Sequence, residues 1–163
     1  MQPDALLATS AEISVAFLGF GAIASVLRRT GESWRPDGRF WSLLLQALLS
    51  LGTSLLALAL LASPVSHPIV WAVSSAALGL GLIAVIFSGF RISGVNRAAG
   101  TPTNWWLAGA WYTVFVPATL LACANTLLIS PPEFWAFLAP LLTLHFSTGF
   151  TFVRVLAVWL PRS

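Results

Sequence analysis

Five long apolar stretches, residues 6–27, 41–62, 69–90, 105–129 and 134–159, hold only two charged side chains between them, Glu12 and Arg154. About 20 helical residues at 1.5 Å rise cross a hydrocarbon core roughly 30 Å thick. Hydrophobic residues make up 58% of the chain and charged residues 8%, with a mean hydropathy of +0.88. A soluble domain averages roughly 25% charged residues, so the lipid bilayer is the solvent to expect. Inside lipid the backbone must satisfy its own hydrogen bonds, which favours helices. The short strict alternation of a membrane barrel is absent. These stretches predict an all-α integral membrane bundle of five transmembrane helices, a single transmembrane domain over residues 1–163.

The arginines predict its orientation. Arg28, Arg29, Arg35 and Arg39 lie between the first and second stretches, Arg91 and Arg97 follow the third, and Arg162 follows the fifth. The N-terminal segment and the turns at 63–68 and 130–133 carry neither Arg nor Lys. Threading five spans through these loops puts every loop arginine on one side. The positive-inside bias then places the N-terminus outside and the C-terminus in the cytoplasm. Trp34, Trp41, Trp105 and Trp159 fall near expected inner ends, and Trp71 and Trp135 near outer ends, where indole rings prefer to sit.

"MQPDALLATSAEIS" lacks a basic n-region and leads into a full-length span, so the first helix is expected in the mature protein rather than in a cleaved signal. The short proline-rich turns "SPVSHP" and "SPPE" predict antiparallel hairpins. "RRTGESWRPDGRFW" reads as solvated or interfacial, and "RISGVNRAAGTPTN" as a flexible cytoplasmic connection.

Glu12 raises the sharpest question. At 100° per residue, Ala8, Ala16, Gly19 and Ile23 share its face of the first helix, while Ser10, Ser14, Gly21 and Ser25 line the opposite one. Small residues let helices approach closely. Two small faces therefore predict a helix packed on both sides, near the middle of the bundle or at a subunit contact, with Glu12 facing protein rather than lipid. Counted along the helices, Asn125 falls at a similar depth and could donate to Glu12, whereas His145 lies deeper and would need a shift or a water. Glu12, Asn125 and His145 thus form the candidate intramembrane polar site. An intramembrane ionisable group is a functional candidate by default; a structural acid bonded to Asn or Ser is the other open reading.

Gln46, Ser50, Thr53 and Ser54 are expected to bond between helices, Pro117 to free the carbonyl of Thr113, and Arg154 to snorkel. Gly19, Gly21, Gly79 and Gly81 are candidate helix-packing positions. "SSAALGLGLIA" sets Ser75 over Gly79 and Ala77 over Gly81, within the protomer or between protomers.

Catalytic and cofactor readings fail on inventory. There is no Lys for a Schiff base, no HExxH or CxxC, and a single cysteine, Cys123. His67 and His145 lie at different depths, which opposes a shared haem. "FSGF" around Ser88 lacks the glycine that the rhomboid protease motif needs before it, and Ser88 lies far from His145. No catalytic residue, metal or cofactor is expected.

"AEISVAFLGFGAI" resembles the start of an uncharacterised family of small bacterial multi-pass membrane proteins with an AE…F.GF first helix, which implies no activity. By analogy, Glu12 in its "AE" pair is similar to the first-helix Glu of small multidrug resistance transporters, which implies exchange of protons for cationic drugs. Five expected spans rather than four, and the strong orientation bias, depart from that pattern. The expected function is a non-catalytic scaffold or partner subunit of a membrane assembly in the bacterial inner membrane. A proton-linked small-molecule transporter or a homo-oligomeric channel using Glu12 is the alternative. Expected partners are the lipid bilayer and a second copy or another membrane protein, with no nucleic acid.

Overall fold

The computed structural model describes residues 2–27, 38–98, 105–127 and 132–159. Among them the chain forms five helices, α1 (Pro3–Leu27), α2 (Gly38–Leu61), α3 (His67–Ala98), α4 (Trp105–Thr126) and α5 (Phe134–Trp159). The helix α1 starts earlier than hydropathy alone predicts. Pro3 supplies a pre-set φ in its first turn, and Asp4 puts a carboxylate at the positive end of its dipole. In α3, His67 and Pro68 join the first turn, and the Ser66 carbonyl accepts from the N–H groups of Ile69 and Val70 at 3.0 and 3.1 Å.

The far end of α3 corrects one expectation. Residues 91–98 continue the helix instead of forming a flexible connection. No proline intervenes before Pro102, and each residue added to an existing helix gains a backbone bond without a new nucleation cost. At the end of α4, the Leu127 N–H donates to the Cys123 carbonyl at 2.9 Å, and residues 128–129 lie outside the described residues. The expectation for the arginine-rich segment 28–37 lies outside the described residues.

Contacts fix the directions of the helices. Ser10 meets Ser54, and Gly21 approaches Leu44, so α1 and α2 are antiparallel. Ser75 meets Asn125, and Gly89 approaches Tyr112, so α3 and α4 are antiparallel too. Trp71 of α3 lies 5.0 Å from Phe134 and 6.2 Å from Phe137 of α5, ring to ring, which sets the starts of those helices at one end. α2 packs against α1, α3 and α5, whereas α1 touches only α2 and, more lightly, α5 among the described residues.

Four of the helices are long and apolar enough to cross a membrane, over Pro3–Ile23, Phe40–Leu61, His67–Arg91 and Phe134–Leu156. The remaining helix, α4, carries Pro117 in its interior. The core runs through Leu7, Ala57, Leu78, Phe115, Phe137 and Leu141, all fully buried.

Three of the four glycines singled out for packing sit at close approaches. A methyl group at Gly21 would stand 3.0 Å from Leu44 Cδ2, and one at Gly79 would stand 3.6 Å from Ala122 Cβ and Cys123 Sγ. At Gly81 it would overlap the Leu49 side chain. Gly19 is the exception, with open space where a Cβ would go. Gly81→Val is therefore expected to destabilise the bundle by about 1–3 kcal/mol through overpacking of the α2–α3 contact. Gly79→Ala, placed at ordinary contact distance, should be tolerated. Denaturation of both variants in mixed micelles measures the difference, and equal stability would refute the packing account.

Candidate functional site

Four polar residues of α2, Ser42, Gln46, Ser50 and Ser54, recur every fourth position and so share one helix face. That face looks into the seam between α1 and α5. Gln46, Ser50 and Ser54 are buried there, as are Ser10 and Ser14 of α1 and Thr148 of α5. In a medium without water such groups must find one another.

They do so around His145. Its Nε2 lies 2.7 Å from Ser10 Oγ and 2.9 Å from Ser50 Oγ. Ser10 Oγ is also 2.8 Å from Ser54 Oγ. One imidazole thus joins α5 to both α1 and α2. Nearer the start of α2, the Gln46 Nε2 donates to Ser42 Oγ at 2.9 Å, and the Thr148 hydroxyl lies 3.4 Å from Gln46 Oε1. Thr148 donates more closely to the Leu144 carbonyl, at 2.7 Å. Thr53 does not cross to another helix; its hydroxyl donates to the Leu49 carbonyl at 2.8 Å.

His145 Nδ1 is buried without a hydrogen-bond partner, as is Ser74 Oγ. Because an orphaned N–H is rarer in buried settings than an under-used acceptor, the ring is best satisfied with its proton on Nε2, donating to a serine.

A second polar knot holds the α3–α4–α5 corner. Asn125, 1% exposed, donates from Nδ2 to Ser75 Oγ at 2.7 Å and to the Glu133 carbonyl at 3.2 Å. Its Oδ1 accepts from the Glu133 N–H at 2.9 Å. One amide therefore engages both backbone groups of the residue that precedes α5.

No family model, curated protein or solved structure matches this chain.

The geometry separates the three candidate site residues. Asn125 is at the α4–α5 corner, His145 is in the α1–α2–α5 seam, and Glu12 is exposed on α1, whose helix neighbours among the described residues are α2 and α5. Within the protomer Ala8, Glu12, Ala16, Gly19 and Ile23 are exposed, while Ser10, Ser14 and Gly21 are buried. Of the two small faces, the serine face packs inward because its hydroxyls meet an imidazole and a serine there. Glu12 makes no hydrogen bond or ion pair among the described residues. Arg154 lies over the Phe150 ring, 5.9 Å from its centroid.

The pairing of His145 with Ser10 and Ser50 has the spacing of a nucleophile and its base. Acyl transfer nevertheless lacks its other parts. Ser10 and Ser50 sit in the middle of regular helices, so the amides beside them are already bonded and cannot form an oxyanion hole. Ser50 is also fully buried. Among the described residues, no three His, Cys, Asp or Glu side chains gather to hold a metal ion.

Proposed function

We propose that this chain is a five-span bundle of the bacterial inner membrane, with its N-terminus outside and its C-terminus in the cytoplasm. It works there without catalysis as a scaffold or partner subunit of a membrane assembly. The observation that carries the reading is the division of its polar groups. Those inside the bundle bond one another around His145 and Asn125, and the one carboxyl of α1's interior stretch, Glu12, points outward. The first supports a rigid bundle, and the second supports contact with something beyond the protomer. The one-sided arginines support the orientation.

A proton-linked transporter, or a channel formed by several copies around Glu12, draws on the same outward carboxyl. Purified protein in proteoliposomes, under an imposed pH gradient with a membrane potential, separates the readings. A scaffold is expected to give proton flux equal to empty vesicles, with Glu12→Gln indistinguishable from wild type. Flux that requires Glu12 would overturn the scaffold and establish the transport or channel reading.

A further inference from the structure

The outward face of α1 has a regular spacing. Ala5, Ala8, Glu12, Val15 and Gly19 are all exposed and alternate in steps of three and four residues. That is the 3.5-residue repeat by which two helices wind about each other in a left-handed pair. Three of the five positions are Ala or Gly, and Gly19 has nothing within 4 Å of where a Cβ would stand. α1 is also the least covered span. The share of its apolar window buried inside the protomer is 22%, against 33% to 44% for the other three.

Glu12 supplies the independent demand for a partner. It lies nine residues from one end of the span Pro3–Ile23 and eleven from the other. At 1.5 Å per residue it is about 14 Å from the nearer end. Its two methylenes cannot carry the carboxyl group that far to headgroups; the residues one turn away on its own helix are Ala8, Thr9, Val15 and Ala16, and the Thr9 hydroxyl already donates to the Ala5 carbonyl at 3.0 Å. A polar group left unpaired in hydrocarbon costs several kcal/mol, so its partner must come from outside the protomer.

We infer that a second copy of this chain docks on this face, α1 against α1 in parallel, with the two Glu12 side chains paired at the centre. The inference rests on the proposed function and names the partner. The single orientation expected from the arginines makes neighbouring copies parallel, which brings the two Glu12 residues to one depth. Two carboxyl groups that share a proton supply a donor and an acceptor to each other, so the group is complementary to itself. A polar residue at one core position of a helix pair is also the established device for fixing register and partner number.

Two measurements in lipid vesicles test it. Cysteines are introduced singly at Ala8, Gly19, Ile13 and Phe20 in a Cys123→Ser background and oxidised. Cross-linked dimer is expected for Ala8 and Gly19 and not for Ile13 and Phe20, which are exposed on another flank of α1. In parallel, subunits are counted by single-molecule photobleaching across a range of protein-to-lipid ratios. Wild type and Glu12→Gln should dimerise, because the amide keeps a donor and an acceptor. Glu12→Leu and Gly19→Ile should each raise the dissociation constant at least about tenfold; the second touches nothing inside the protomer. A monomer at every density, cross-linking without regard to face, or unchanged affinity in both variants would overturn the contact. The flux experiment remains separate. A monomer without flux removes the dimer and leaves the scaffold, whereas a dimer with Glu12-dependent flux removes the scaffold and leaves the contact.

Discussion

His145→Ala is expected to lower the stability of the bundle by about 3 kcal/mol, the combined effect of a cavity and of hydroxyls left without partners. The ring is the junction of three helices, and Ser10 and Ser50 both lie within 2.9 Å of its Nε2. Part of the loss is recoverable, because a serine in a helix can turn its hydroxyl to the carbonyl one turn back. Ser14 already does so, donating to the Ser10 carbonyl at 2.9 Å. Interhelical hydrogen bonds in membranes average about 0.6 kcal/mol in double-mutant cycles and reach about 1.7. A cycle of His145→Ala with Ser50→Ala should therefore give a coupling of about 1 kcal/mol, with the remainder of the effect assigned to packing. Reversible unfolding in mixed micelles, followed by tryptophan fluorescence, measures both quantities. Stability within about 0.5 kcal/mol of wild type would show that the seam does not depend on the imidazole.

Asn125→Leu is the second substitution with a large expected effect, again about 3 kcal/mol, because it removes three hydrogen bonds at once while keeping the branched outline of the side chain. Ser75 is fully buried and would lose its amide partner. The Glu133 N–H would lose its acceptor, which loosens the entry into α5. Hydrogen exchange gives a local signature that a general loss of stability would not. The Glu133 amide should exchange much faster in the variant under conditions where the middle of α5 stays protected. Asn125→Asp should fall between the two proteins, since a carboxylate keeps the bond from the Glu133 N–H but cannot donate to Ser75. Unaltered exchange at Glu133 in the leucine variant would refute the clamp.

Much of the architecture could be read before any coordinates, because length and hydropathy are what a bilayer responds to. Each of the five expected segments corresponds to a helix. The extension of α3 through residues 91–98 could not be read that way, since polarity ends a membrane span without ending a helix. Gln46, Ser50 and Ser54 were legible as interhelical partners from their shared face, yet their connection to His145 was not. Depth was the obstacle. Ser10 is seven residues past Pro3 and His145 eleven past Phe134, an offset of about 6 Å. Level counted from helix starts therefore separates residues that touch. The face of α1 that packs inside the protomer was hidden for a different reason. A helix with two small faces carries no local sign of which one packs inward. The serine ladder of α2, repeating every fourth residue opposite a helix with Ser10 and Ser14, was the signal that could have decided it.

The link between Ser10 and His145 joins residues 135 positions apart, and that separation bears on biosynthesis. At about 5–20 residues per second, seconds pass between synthesis of the first residue and synthesis of the second. In that interval α1 and α2 can form their own hairpin, held by Ser10 and Ser54, while Ser50 waits for the imidazole. Arrival of α5 closes the seam. A chain interrupted before α5 would carry four apolar segments and an unfinished junction, with the α1 and α2 hydroxyls still short of the imidazole that joins them.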